Sequence, residues 1–277
     1  MGAETTIHPM AVVEPGAELG AGVKIGPFCH VGADATIGDR VELIGHVSIL
    51  GPTTLGDDCI VYPTAVLGAA PQNTKHKGGR TTLEIGRNCT IREGVTMHRG
   101  TDTSRGSTTV GENGYFLANV HIAHDCEIGR NVTMANLVTL GGHVTVGDFV
   151  IFGGLCAVHQ FVRIGHHAFA AAGSFVAGDL IPYGMAHGDP GWLRGLNIVG
   201  MKRSGMSRQE IYAARSAYRT IYDRSHPVAE NLERARTDAS GYTAAMEIIN
   251  FLSNRDKRHY MVPRPGREQD GDDDGEG

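Results

Sequence analysis

The side chains best suited to moving a proton lie in the middle of the chain. They are His98, His121, His124 followed directly by Asp125, His143, and His159 followed by Gln160. Imidazole titrates near neutrality, and an adjacent carboxylate can hold it in one tautomer, so His124 and Asp125 have the makings of a general base and its orienting partner. Fourteen histidines in 277 residues is many for a scaffold that needs none. Two other readings stay open. The imidazoles can cap exposed corners by bonding loop carbonyls, or His121 and His124, three apart, can contribute to a three-histidine zinc site. The spacing fixes no third ligand, and no metal is assigned.

Two further polar groups stand outside this region. The segment Gln72-Asn73-Thr74-Lys75-His76-Lys77-Gly78-Gly79-Arg80 is either a solvated loop or a polar edge whose Gln72 and Lys75 reach a phosphate or a sugar. The chain carries neither a phosphate-binding glycine loop nor a dinucleotide fingerprint. Asn197, Lys202, Arg203 and Arg208, with Arg215 and Arg219, form either a solvated helix face or a small basic patch that suits an acidic carrier protein.

A repeat positions these groups. Stepping by six from Ile7 through Val13, Leu19 and Ile25 to Leu67 meets an aliphatic side chain every time, and the residue four further on is small. Leu67 to Ile85 spans eighteen residues, so the phase survives the polar segment 72–82, whereas the polar loop 101–109 shifts it by one before Val110 resumes the stride to Val176. A period of six fits neither a helix nor simple strand alternation. It fits a prism with three short strands per turn, one aliphatic side chain per strand pointing inward and a small residue at each corner. This is a parallel β-helix of hexapeptide repeats with roughly ten turns. Cys29, Cys59, Cys89, Cys126 and Cys156 all occupy the small slot and are expected to be buried thiols, not ligands or disulfides.

Beyond about Pro182 the pattern becomes helical. Ser207 and Glu210 make a capping box ahead of Ile211, Ala214, Tyr218 and Ile221, and further helices are expected over 228–236 and 242–254. The division expected is a β-helix over 1–190, a helical domain over 191–262, and a disordered acidic tail over 263–277. Glycine, 39 of 277 residues, lacks the strict period of collagen. Net charge is −5, and without the tail the body is nearly neutral, which disfavours nucleic acid as a partner. No apolar run is long enough to cross a bilayer, and the first thirty residues show no secretory leader, so a cytoplasmic protein is expected.

The motifs in between are specific. Pro71-Gln72…Lys75…Lys77-Gly78, Ile91-Arg92-Glu93…His98-Arg99-Gly100-Thr101, His121-Ile-Ala-His124-Asp125-Cys126, Gly142-His143-Val144, Ala157-Val158-His159-Gln160-Phe161 and Gly195-Leu196-Asn197-Ile198…Lys202-Arg203 span nearly the whole chain. In these stretches it resembles the UDP-N-acetylglucosamine O-acyltransferases that begin lipid A biosynthesis. The resemblance implies a homotrimer of left-handed β-helices with active sites between subunits. It implies transfer of a 3-hydroxyacyl chain from acyl carrier protein to the glucosamine 3-position of UDP-N-acetylglucosamine. By the same resemblance His124 is the general base, Asp125 orients it, and the Gly142 N–H stabilises the oxyanion. Gln72, Asn73, Lys75, His98, His121, His143, His159, Gln160, Asn197 and Arg203 would line the substrate paths, and Ala172 and Pro190 the wall that measures acyl length. The implied mechanism is direct transfer, with no acyl-enzyme, metal or resident cofactor.

The chain departs from the family's usual pattern at Asn73, where aspartate is frequent, at Val199 and Ser204, at Ala171-Ala172 and at Pro190. N-acylation of a 3-amino sugar analogue and acetyl-CoA-dependent transfer on the same scaffold remain as alternatives.

Overall fold

The structure, a computed structural model, describes residues 4–254 and 259–264. The tail expected to be disordered lies outside the described residues from 265 onward. The chain winds into a left-handed parallel β-helix of three faces, sheets of eleven, nine and eight strands. Most strands are only two residues long, and every third strand in sequence pairs with the next on the same face.

Pairing places the six-residue stride in exact columns. On the first face the column reads Ile7, Ile25, Leu43, Val61, Ile91, Phe116, Met134, Phe152, Ala170 and Ala186, each against the next. From Ile25 onward these side chains are buried, while Ile7, at the open end, is 47% exposed. Stacking identical levels lets each backbone group find its partner one turn away, and the aliphatic columns form one continuous interior. All five cysteines are buried and free, as their slot predicts. Burial pushes the Cys126 thiol up to about 12, which leaves it a small hydrophobe.

The corners differ from the expectation in one respect. The turn is made not by the small residue but by the residue before it, three after the stride position, which takes a left-handed conformation. Asp58, Asp125, Asn131, His143 and Phe161 have φ of 60°, 59°, 56°, 63° and 67°. All but Asp125, whose N–H goes to Thr108 Oγ1, turn the N–H onto the corner carbonyl one level below, as in His143 N–H to His124 O and Phe161 N–H to Gly142 O, both at 3.0 Å. That bond offsets the steric cost of the left-handed region. The small residue follows, pointing inward where the prism is narrowest.

Two loops leave the same edge, between the nine- and eight-stranded faces. The first joins strands Val66–Ala69 and Thr82–Ile85, and Ile85 pairs directly with Leu55. Eighteen residues thus make a single strand step, and the additional dozen lie outside the coil. The second joins Thr96–His98 and Ser107–Val110 one level on.

The hairpin Gly184–His187 with Trp192–Leu196 closes the far end of the first face. Four helices follow: α1 (Ile198–Arg203), α2 (Arg208–Ile221), α3 (Val228–Asp238) and α4 (Thr243–Ser253). The sequence reading missed α1, a single short turn-and-a-half, and placed the ends of α3 and α4 within two residues. Ser207 caps α2 by accepting the Glu210 N–H at 3.2 Å. The Glu210 carboxylate, however, accepts the Thr243 and Ala244 N–H groups at 3.0 and 2.9 Å, supplying the cap that α4 lacks from Tyr242. Arg163 ties α4 to the coil, donating to Phe251 O and Asn254 O and pairing with the buried Asp179 at 2.7 Å. Among the described residues no helix is long and apolar enough to cross a membrane.

Candidate active site

The edge that bears both loops also carries His76, His98, His121, His124, His143 and His159. Corner stacking orders them in two columns. Two residues after the stride come His124, Gly142 and Gln160 on successive levels, and three after it come Asp125, His143 and Phe161. His124 and Asp125 are therefore neighbours in the chain and His143 is the next step up from Asp125, with no long-range assembly needed.

The dyad is well defined. His124 Nδ1 lies 2.8 Å from Asp125 Oδ2, and because a carboxylate only accepts, the imidazole proton sits on Nδ1. Nε2 is left with its lone pair toward solvent and the loop, where the Asn73 amide donates to it at 3.3 Å. Asp125 is 1% exposed. Burial pushes its carboxyl up, but the Thr101 N–H (3.0 Å), the Thr101 hydroxyl (2.7 Å) and His124 together hold it below the usual range, so it stays ionised. A buried, ionised Asp on Nδ1 with an unprotonated Nε2 is an arrangement suited to a general base.

Around the dyad, His143 meets His124 edge-on at 5.1 Å, stacks on Phe161 at 4.4 Å, and brings Nε2 to 3.8 Å from Asp125 Oδ2. Burial lowers the His143 pKa despite the attraction of Asp125. His121, on the strand leading into the dyad's corner, meets His98 of the level below at a tilt, 5.3 Å apart. His98 donates from Nδ1 to Ala70 O at 2.8 Å, and His121 bonds Thr96 Oγ1 at 2.9 Å. Burial, reinforced by His98, lowers the His121 pKa. At neutral pH both His121 and His143 are therefore neutral.

Gly142 is fixed by this geometry. A Cβ there would come within 2.7 Å of His124 Cε1 and 2.9 Å of Nε2. Its own N–H finds no acceptor among the described residues and lies beside the base, a donor available for a developing anion.

The donor atoms of His124, Asp125 and His143 lie within 4.8 Å of one another, so the set could take a metal ion. This is not the His121 and His124 pairing that spacing suggested. The hydrogen bonds favour proton transfer instead, since Asp125 Oδ2 is already engaged by Thr101 and His124.

Comparisons with known proteins identify the family. A family model described as UDP N-acetylglucosamine O-acyltransferase, domain 2, matches residues 179–261. The acyl-[acyl-carrier-protein]–UDP-N-acetylglucosamine O-acyltransferase of Mesorhizobium japonicum is 61% identical over 98% of this chain and 96% of its own. That of Bartonella henselae is 54% identical over 94% of this chain and 95% of its own. The chain belongs to the UDP-N-acetylglucosamine O-acyltransferase family. Among solved structures, LpxA from Acinetobacter baumannii superimposes with a TM-score of 0.89 at 34% identity, covering 93% of this chain and 99% of that one. The Arabidopsis UDP-N-acetylglucosamine acyltransferase gives 0.82 at 32%, covering 93% and 100%.

In this member of the O-acyltransferase family, one protomer brings together only part of the expected site. Gln72, Asn73, Lys75, His98, His121, His124, Asp125, Gly142, His143, His159 and Gln160 all belong to the dyad's edge. Gln72, Lys75, His159 and Gln160 are exposed on it, and His159 Nδ1 donates to Gln160 O at 3.1 Å. Asn197 and Arg203 do not join them. Asn197 accepts the Gly200 N–H as the cap of α1 and donates to His167 O, on the edge between the eight- and eleven-stranded faces, and Arg203 is exposed at the end of α1. Ala172 is on the third edge, exposed at the corner after Ala170, and Pro190 is in the closing hairpin. Thr101 and Phe161 stand in the resembling motifs without an assigned role, and Thr108 and Asp102 are not singled out there. Thr101 and Thr108 bond Asp125, Phe161 stacks on His143, and Asp102 holds the first loop. For the three loop residues the break in phase at 101–109 was a signal, and Phe161 follows from the corner column.

Proposed function

We propose that the protein transfers an acyl chain, typically 3-hydroxylated, from acyl carrier protein to the 3-hydroxyl of UDP-N-acetylglucosamine, the first step of lipid A biosynthesis. The observation that carries this is the His124 tautomer, with Nδ1–H on buried Asp125 and Nε2 open beside Gly142. Nε2 takes the proton of the sugar 3-hydroxyl as that oxygen attacks the thioester carbonyl. The Gly142 N–H stabilises the oxyanion. Collapse expels the phosphopantetheine thiolate, which recovers the proton from His124. The described residues present no activated nucleophile, the cysteines being interior, so the reading is direct transfer with no acyl-enzyme; this step calls on no resident cofactor or metal.

The homotrimer belongs to this reading. The candidate groups fall on three different edges of one prism, and a threefold assembly would set the edge of one copy against another edge of its neighbour. Five buried free thiols suit a reducing, cytoplasmic location.

The test is turnover of UDP-N-acetylglucosamine with 3-hydroxyacyl carrier proteins of graded chain length, with and without chelator. His124→Ala is expected to lose at least about a hundredfold in kcat with the fold intact, the usual weight of a general base. Full activity in that variant would overturn the mechanism, and loss with chelator would turn the reading toward the metal. A second acceptor is favoured by Asn73. A neutral amide beside Nε2, where the family often has a carboxylate, does not hold an incoming 3-amine as its ammonium form. The same assay on the 3-amino sugar nucleotide decides whether an ester or an amide is made.

A further inference from the structure

Asp125 has no freedom of its own. Its Oδ1 accepts the Thr101 N–H at 3.0 Å and its Oδ2 accepts the Thr101 hydroxyl at 2.7 Å, a two-point clamp on the plane of the carboxylate. Oδ2 also takes His124 Nδ1–H at 2.8 Å, so the threonine hydroxyl and the imidazole share one oxygen. From the other end of the same loop, Thr108 Oγ1 accepts the Asp125 N–H at 2.8 Å and fixes its backbone. Thr101 and Thr108 are 1% and 0% exposed. Both lie in the segment that breaks the six-residue stride. That insertion folds back over the corner one level on and buries the carboxylate that would otherwise face solvent.

We propose that Thr101 is a positioning residue for the catalytic base: its hydroxyl aims Asp125 Oδ2 at His124 Nδ1 and, by sharing that oxygen, sets how strongly the carboxylate supports the imidazolium formed during transfer. This rests on His124 being the general base. Thr101 touches neither substrate nor reacting atoms and acts only through Asp125. The hydroxyl must donate here, because both carboxylate oxygens are acceptors. A charge-assisted O–H···O⁻ bond of 2.7 Å is among the stronger contacts in the site.

The test compares Thr101→Val, which keeps the branched shape and removes the donor, with Thr101→Ser, which keeps the donor. In the valine variant kcat falls by about ten- to a hundredfold and the KM for the sugar nucleotide changes by less than about threefold. The acid limb of the kcat/KM profile moves up by about half to one pH unit, since the whole charge of Oδ2 then stabilises the imidazolium. Serine restores both the rate and the limb. A valine variant with unaltered rate and limb overturns the proposal. So does a rate loss that follows a lowered Tm while the limb stays put, or a serine variant that fails to restore. If valine does not yield folded protein, Thr101→Ala reads the same limb. His124→Ala is assayed alongside. If it retains turnover, the base itself is wrong. If it is inactive while the Thr101→Val limb is unmoved, only the role of Thr101 falls.

Discussion

Gly142 shows how little tolerance the site has at the level of a single atom. It sits one level above His124 in the same corner column, and a methyl group there would overlap the imidazole at Cε1 and Nε2. The ring is held from the other side by its bond to Asp125, so it cannot yield without giving up that bond. Gly142→Ala is therefore expected to lower kcat by about a hundredfold or more, the penalty for misplacing a base, with a near-native Tm. Wild-type turnover in this variant would show that the ring has room. The neighbouring histidines give a second, pH-dependent consequence. Burial lowers the pKa of His121 and His143, so below about 6.5, their ordinary range, the unfolded chain takes up protons that the folded one refuses. Stability is then fully present at neutral pH and declines on acidification. Asp125, held low, adds no slope until far more acid conditions. Thermal melts from pH 7.5 to 5.5 should show a falling Tm, and His121→Gln should flatten the fall. A Tm that is constant or rises on acidification would contradict this account.

At the scale of elements, the two insertions act as a pair. Asp102, next to Thr101, accepts the Lys77 and Gly79 N–H groups at 3.1 and 3.0 Å and lies 3.3 Å from His76 Nδ1. These bonds, the strongest from Gly79, hold the Asp102 carboxyl below its usual range. They fasten the first loop to the second and so keep Asn73 against His124. Asp102→Ala is expected to raise the KM for the sugar nucleotide about tenfold while kcat falls less, because the loop loses its anchor and the dyad does not. Equal losses in both parameters would place Asp102 in the chemistry instead. The faces, the interior cysteines and the histidine edge were legible in the sequence, since each follows from a stride of six. The first loop's path was not. An insertion of twelve is a multiple of six, so periodicity runs on in phase across residues that leave the coil. The roles of Thr101, Thr108 and Asp102 were equally hidden, because threonine and aspartate are common in loops and what they do comes from which corner the loop covers. The Glu210 carboxylate likewise reads as the reciprocal half of its own helix's capping box, and only the packing of α4 on α2 shows that it caps a different helix.

At the scale of the molecule, the distribution of candidate groups over the prism makes a prediction that does not depend on any one side chain. His124 is on the edge between the nine- and eight-stranded faces. Asn197, through its bond to His167 O, holds the start of α1 on the next edge, and α1 ends in Lys202 and Arg203. If a threefold assembly completes each site from two copies, His124 and Arg203 of one chain serve different sites. His124→Ala and Arg203→Ala homotrimers, each strongly impaired, should then complement each other when dissociated, mixed in equal amounts and reassembled. A site is whole only where a copy with intact His124 meets a neighbour with intact Arg203, so random reassembly restores about one quarter of wild-type turnover. If both residues serve the same site from one chain, every site inherits one lesion and mixing restores nothing. Measuring activity against mixing ratio separates the two arrangements, since shared sites give a maximum at equal proportions and unshared sites give a flat line at the level of the parents.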